Sequence, residues 1–249
     1  MQILKNNYHT HTYRCGHAVG KDEEYVLSAI KKGIKVLGFS DHGPYPNQEQ
    51  PGIRQTTETM KDYLQSINEL KEKYKDQIEI HIGYEFEYFP EYHWWYEELL
   101  KSGKVEYFIL GQHCNCVDGK LEWFNGTHLE SLTKMVDFIE KGAKTGLFKY
   151  ICHPDFFIKD WNEDTIKQYK RLIQIAIDNN LPIELNMQGV RKGYRVDPNN
   201  LHETEMKYDD SPKYPYLKFW ELVSHYKVKV IVGGDYHDPI DIEYDSEKV

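Results

Sequence analysis

The sequence predicts a closed (β/α) barrel, and three observations lead there. Short apolar runs alternate with stretches of helical period along the whole chain, seven such runs can be counted, and metal-ligand residue types stand at the end of most of them. Alternation of this kind builds a parallel sheet with helices outside it, and continuous apolar runs belong to strands buried on both faces. At 249 residues, 40% hydrophobic and 29% charged, the chain can bury a sizeable core, and a single domain over 1–249 is expected.

Residues 3 to 9 read as the first strand. His9-Thr10-His11 stands at its end, and side-chain alternation sends both imidazoles the same way. His17 follows across a turn at Gly16. A helix at 21 to 33 shows Val26, Ala29 and Ile30 on one face and stops at Gly33. Val36-Leu37-Gly38-Phe39-Ser40 is then a buried strand halted by Asp41-His42-Gly43-Pro44. Met60, Leu64, Ile67 and Tyr74 stripe a helix before the run from Ile78 to Tyr84, which closes on Glu85-Phe86-Glu87. A helix near 91 to 101 precedes the run from Val105 to His113, and another at about 128 to 145 precedes Phe148 to His153. Ile166, Tyr169, Ile173 and Ile177 mark the next helix, before Pro182-Ile183-Glu184-Leu185-Asn186. A longer loop and a helix at about 213 to 226 lead to the run from Val228, which ends in Asp235-Tyr236-His237.

His9 and His11, His42, Glu85, His113, His153, and Asp235 with His237 all follow their strands, and no strand begins with such a cluster. In a closed barrel these ends meet on one rim, where barrel active sites lie. An open doubly wound sheet gathers function at one switch point between a few strands, so six contributing strand ends favour the barrel. With His17 the set holds seven histidines, one glutamate and one aspartate. That exceeds the four ligands of a structural zinc and suits two or three divalent ions with open positions. Imidazole with carboxylate favours Zn, Fe or Mn over Ca or Mg.

Composition narrows the partners. A formal charge of −9 with only five arginines argues against a nucleic-acid binder, which carries a basic stripe. No apolar run reaches the roughly 18 residues of a membrane span and the N-terminus has no signal-peptide layout, so a cytoplasmic protein is expected. The four cysteines, Cys15, Cys114, Cys116 and Cys152, are then reduced thiols. Cys114 and Cys152 adjoin His113 and His153 and are expected to pack as small apolar groups behind a ligand. His81, His93, His128, His202 and His225 are assigned no catalytic role, and Glu184 a structural one, with Asn186 in reach of the site.

His9-x-His11, His17, Ser40-Asp41-His42, Gly83-Tyr84-Glu85, Gly111-Gln112-His113, His153-Pro154 and Gly234-Asp235-Tyr236-His237 resemble the ordered motifs of the PHP (polymerase and histidinol phosphatase) family across essentially the whole chain. The resemblance implies a distorted (β/α)7 TIM-like barrel with three divalent transition metal ions at the C-terminal rim. It implies one ion on His9, His11, Glu85 and Asp235, a second on Glu85, His113 and His153, and a third on His17, His42 and His237. The phrases around Arg14-Cys15-Gly16-His17, Gly38-Phe39-Ser40-Asp41-His42-Gly43-Pro44, Glu184-Leu185-Asn186 and Tyr214-Pro215 are most similar to the stand-alone histidinol-phosphate phosphatases of that family. Trp94-Trp95 and Cys114-x-Cys116 are less familiar within it.

The implied activity is hydrolysis of L-histidinol phosphate, in histidine biosynthesis, by a metal-bridging hydroxide, with Glu85, Asp235 and His237 as the catalytic set. Arg191 and Arg195 on the loop after the sixth strand, and Arg54, are the candidate phosphate clamps, because a guanidinium fork matches phosphate. Arg171 is expected to face solvent. Glu87 and Asp155, each two residues past a ligand, are candidates to meet the cationic end of the substrate, and Asp41 to orient a ligating histidine. Competing readings are a PHP phosphoesterase acting on nucleotides, nucleic-acid ends or phosphotyrosine, and a non-catalytic metal-stabilised module. An amidohydrolase fits less well, because its later ligands follow another strand order.

Overall fold

The computed structural model describes residues 5–117, 120–124, 129–194 and 214–248. Seven strands lie side by side in chain order, all parallel: β1 (Asn6–Asn7), β2 (Val36–Phe39), β3 (Glu79–Phe86), β4 (Tyr107–Leu110), β7 (Phe148–Ile151), β8 (Ile183–Asn186) and β9 (Val230–Gly233). A separate antiparallel hairpin, β5 (Cys114–Val117) with β6 (Lys120–Trp123), leaves the end of β4. The ring closes between first and last strands through a single parallel bridge, Thr10 to Tyr236. His11 N donates to Tyr236 O at 2.8 Å and Gly234 N to Asn7 Oδ1 at 2.7 Å across that seam. The expected seven-stranded barrel is present, nearly closed.

The helices on the outside are α1 (Asp22–Lys31), α2 (Thr59–Tyr74), α3 (His93–Lys101), α4 (Leu129–Ala143), α5 (Glu163–Asp178), α6 (Met187–Tyr194), α7 (Leu217–Ser224) and α8 (Pro239–Lys248). On α2 the buried face is Tyr63, Ile67, Leu70 and Tyr74, with Met60 and Leu64 of the expected stripe partly buried against the core. Asn162 caps α5 by accepting from Asp164 N and Thr165 N. Arg171 faces solvent as expected, 37% exposed, and also ties α5 to α4 through Asp137 and Glu140. The hairpin, α6 and α8 were not expected. The first strand is shorter than expected among the described residues: its ladder ends at Asn7, and Thr10 O beyond it accepts from Ser40 N at 2.8 Å.

The large core lies between sheet and helices, and a second, smaller one fills the barrel itself: Tyr107, Ile109, Tyr150 and Cys152, with Tyr8 and Ile231 against them. The Tyr107 ring crosses the barrel only because Gly38 and Gly83 offer no Cβ; one at either position would strike that ring. Its hydroxyl donates to the carbonyls of Tyr8 and Phe39 at 2.9 and 3.1 Å. This plug seals the barrel below and forces the polar residues above it onto one rim.

Candidate metal centre

Two carboxylates enter the barrel top in the same manner. A Cβ at Gly111 would overlap the Glu85 carboxylate, and one at Gly233 would overlap that of Glu184, so each glycine opens the space an acidic side chain occupies. Glu85 is buried and its two oxygens face different partners. Oε2 lies 3.5 Å from His9 Nε2, 3.5 Å from His11 Nε2 and 3.2 Å from His42 Nδ1. Oε1 lies 2.8 Å from His153 Nε2 and 3.4 Å from His113 Nε2. Asp235 Oδ1 completes the first set, 3.1 Å from His11 Nε2 and 3.5 Å from His9 Nε2. His153 and Asp235 both take positive φ, 29° and 50°, strained conformations for residues with a Cβ that are retained where a side chain must be aimed.

His9 Nε2, His11 Nε2, Glu85 Oε2 and Asp235 Oδ1 are buried, converge, and accept no hydrogen bond from the protein. Orphaned polar atoms cost about 1–3 kcal/mol each, and four that converge fit a cation better than they fit one another. His17, His42 and His237 form a second group in which each offers a ring nitrogen within 4.8 Å of the others, nearer to solvent and without a carboxylate of its own. His9, Glu85 and His153 form a third, with the Cys152 thiol beside them.

The outer contacts orient the rings. His9 Nδ1 meets Glu184 Oε1 at 2.8 Å, and the other Glu184 oxygen accepts from His153 N at 3.1 Å and Asn186 Nδ2 at 2.9 Å. Asn186 also donates to Asp235 Oδ2 at 3.1 Å. Asp41, expected to orient a ligating histidine, lies 3.5 Å from His11 Nδ1 without a hydrogen bond to it and is itself held by Thr12 and Gln55. Gln188, which the sequence did not single out, meets His237 Nδ1 at 2.8 Å and accepts from Tyr214 OH at 2.6 Å. Cys152 Sγ lies 3.3 Å from Glu85 Oε1 and Cys114 Sγ 3.7 Å from Glu87 Oε1, so both thiols sit behind ligands and point at carboxylates.

The electrostatics follow from this packing. Burial alone would raise the carboxyls, but His42, His113, His9 and His153 hold Glu85, and His9, His11 and His237 hold Asp235, well below the usual carboxylate range. Burial disfavours charge on His9 as well, yet Glu184, Asp235 and Glu85 together lift it to about 10. Burial wins at His42 and His237, whose imidazoles are pushed well below their ordinary value and stay neutral, the form that binds a metal.

The sequence profile of the family described as PHP domain matches residues 7–188, most of the barrel with its first six sheet strands. The chain belongs to the PHP domain family. Among its relatives, a probable histidinol-phosphatase of Deinococcus radiodurans is 23% identical over 95% of this chain and 87% of its own. A second protein of that name, from Schizosaccharomyces pombe, is 26% identical over 93% of this chain and 80% of its own. Among solved structures, the histidinol phosphate phosphatase of Lactococcus lactis, complexed with Zn, L-histidinol and phosphate, superposes with a TM-score of 0.69. That match is 16% identical and covers 99% of this chain and 92% of the other.

In this PHP domain His17, His42, Glu85, His113, His153, Asp235 and His237 line a cavity of about 510 Å³, together with Arg54, Glu87, Trp123, Phe156, Phe157, Gln188 and Arg191, whereas His9 and His11 lie behind its wall. Arg191 Nη2 donates to the carbonyls of Gly234 and Asp235 at 2.6 and 3.0 Å, placing a cation beside the buried group. Arg195 lies outside the described residues, as do His128 and His202. Arg54 and Glu87, assigned to opposite ends of a substrate, pair with each other at 3.0 and 3.1 Å. Glu87 also meets His113 Nδ1 at 3.1 Å and accepts from Tyr45 OH, so it orients a ligand where a substrate cation was expected. Asp155 is not brought to the cavity wall: its carboxylate turns away to accept from Tyr216 N at 2.7 Å and Trp220 Nε1 at 2.9 Å. The signal for Glu184 and Glu87 was available, since each is an acid in a segment otherwise buried on both faces.

Proposed function

We propose that the protein is a metal-dependent phosphomonoesterase that hydrolyses L-histidinol phosphate to L-histidinol and phosphate. The observation that carries the reading is Glu85, one carboxylate whose two oxygens face two separate sets of imidazoles. His9, His11, Glu85 and Asp235 would hold one ion, Glu85, His113 and His153 a second, and His17, His42 and His237 a third. Zn, Fe and Mn all suit these ligands. Bound there, the ions supply positive charge to the phosphoryl oxygens and lower the pKa of the attacking water.

The chain's own residues do the rest. Glu184 and Glu87 hold the ring nitrogens of His9 and His113 that face away from the centre, which fixes how each ring is aimed, and Asp41 stands 3.5 Å behind His11. Arg191, fastened beside Asp235, offers a guanidinium to the phosphate rim. The plug of Tyr107, Ile109, Tyr150 and Cys152 packs the barrel interior beneath these groups. The substrate rests on the names of the relatives and on the ligands in the Lactococcus lactis structure.

The test compares kcat/KM for L-histidinol phosphate with p-nitrophenyl phosphate, a nucleoside monophosphate and phosphotyrosine, with Zn, Fe and Mn in turn. One or two charge-assisted contacts to the cationic end give a preference of at least about a hundredfold, roughly 2.7 kcal/mol. A nucleotide or phosphotyrosine that reacts faster overturns the substrate and leaves the metal chemistry standing.

A further inference from the structure

The cavity is asymmetric. One side is crowded with imidazole, carboxylate and guanidinium groups; the other, beyond His113 and His153, is walled by Trp123, Phe156 and Phe157. The Trp123 and Phe156 rings both lie against His113, with centroids 6.3 and 6.2 Å away. Phe156 packs edge-on to Phe157 at 4.7 Å and to Tyr214 at 5.0 Å, so its position is fixed from behind. Yet Trp123 is 49% and Phe156 38% exposed.

The exposure of Trp123 is not forced by its hairpin. Cys114, buried, and Phe124, also buried, root the two strands in the large core, Leu121 packs against that core, and Phe124 N donates to His113 O at 2.9 Å. The hairpin is anchored without the indole, which is left over the cavity mouth at a hydration cost its packing does not require. Two part-exposed rings flanking a polar cavity, next to imidazoles that take the phosphate end, suit a flat ring carried by the leaving group.

We infer that Trp123 and Phe156 form an aromatic clamp that selects phosphate esters whose alcohol carries a flat aromatic ring. This rests on the function proposed above and names the residues that hold the substrate's imidazole. An imidazole stacks on an indole face in either protonation state and gains cation–π attraction when protonated, and neither is available to an aliphatic alcohol.

The experiment measures kcat/KM of the metal-loaded protein and of Trp123→Ala, Trp123→Phe and Phe156→Ala on L-histidinol phosphate and on glycerol 2-phosphate, which has no ring. The ratio of the two constants is expected to fall roughly tenfold in Trp123→Ala, mostly through KM for the ring-bearing substrate, and to recover to within about threefold of the unmodified ratio in Trp123→Phe. Phe156→Ala lowers the ratio in the same direction. A ratio within about twofold of the original in both alanine variants overturns the clamp, as does an equal loss on both substrates, which marks a structural role. No turnover of L-histidinol phosphate by the unmodified protein, with glycerol 2-phosphate hydrolysed, overturns the functional reading and the clamp's ligand together, a result distinct from the others.

Discussion

The buried quartet of His9, His11, Glu85 and Asp235 and the outer trio of His17, His42 and His237 share one rim but differ in charge. Two ionised carboxylates sit in the quartet and Glu184 backs it, whereas the trio consists of imidazoles alone and borrows negative charge from the neighbouring Glu85 and Asp235. A divalent ion in the quartet is neutralised where it sits; an ion on the trio is held by dipoles nearer to water. Occupancy should therefore be graded across the rim, tight on one side and exchangeable on the other.

The largest expected effect comes from removing the carboxylate the groups share. Glu85→Gln should lower turnover by at least about a thousandfold and lower the metal content of the purified protein, read by elemental analysis. Near-normal metal and activity would leave Glu85 without its linking role. Exhaustive chelation should abolish hydrolysis, and graded chelation should release the first ion from a protein whose Glu85 and Asp235 groups remain loaded. His42→Ala should remove that early-released fraction and leave the rest; loss of all metal at once would erase the distinction between the two groups.

Next in size is Glu184→Gln, which keeps the shape of the His9 contact and deletes its charge. About 10–100-fold weaker metal binding is expected on the quartet side, with the early-released ion unchanged. Proton release sharpens the comparison further. With His9 lifted to about 10, the stripped protein carries a proton there at neutral pH that an ion must displace, so metal uptake should release protons and tighten as pH rises from 6 toward 9. His42 and His237, held neutral by burial, have no such proton to lose, so His42→Ala should leave most of the release intact. A pH indicator in weak buffer reads both.

The smallest effect on chemistry is expected at Asp155. Asp155→Asn should keep KM for L-histidinol phosphate within about twofold, whereas Asp155→Ala should cost about 1–3 kcal/mol of stability by orphaning Tyr216 N–H and Trp220 Nε1–H, read from denaturant unfolding. A KM that rises sharply in the asparagine variant would return Asp155 to the substrate.

The seven sheet strands were legible because parallel strands buried on both faces are written as apolar runs, and the rim was legible because every candidate ligand but His17 stands at or just past the end of such a run. The hairpin was not: Cys114 to Val117 and Lys120 to Trp123 are four-residue segments with weak alternation, and they are placed by Phe124 and Cys114 reaching the core, a tertiary effect. Helix α6 read as loop because Gly189 and Gly193 lower its propensity. Glu87 reaches the cavity as expected and Asp155 does not, yet the sequence hid the partner of each: the chain has left its strand there and turns each carboxylate toward a group found only in three dimensions, Arg54 in one case and Trp220 in the other.

The barrel's seam gives the rim a mechanical meaning. Among the described residues β1 and β9 share no ladder, and the segments that follow them are joined by the Thr10–Tyr236 bridge, the Asn7–Gly234 bond and Val19 N to His237 O, while the other neighbouring strands share hydrogen-bonded registers. His9 and His11 lie on one lip of that seam, Asp235 on the other. An ion gripping all three is a buckle across the weakest joint of the hoop, so loading the site and shutting the barrel become one linked equilibrium, and amides flanking Thr10 and Tyr236 should exchange with solvent faster than those of β3 once the buckle is undone.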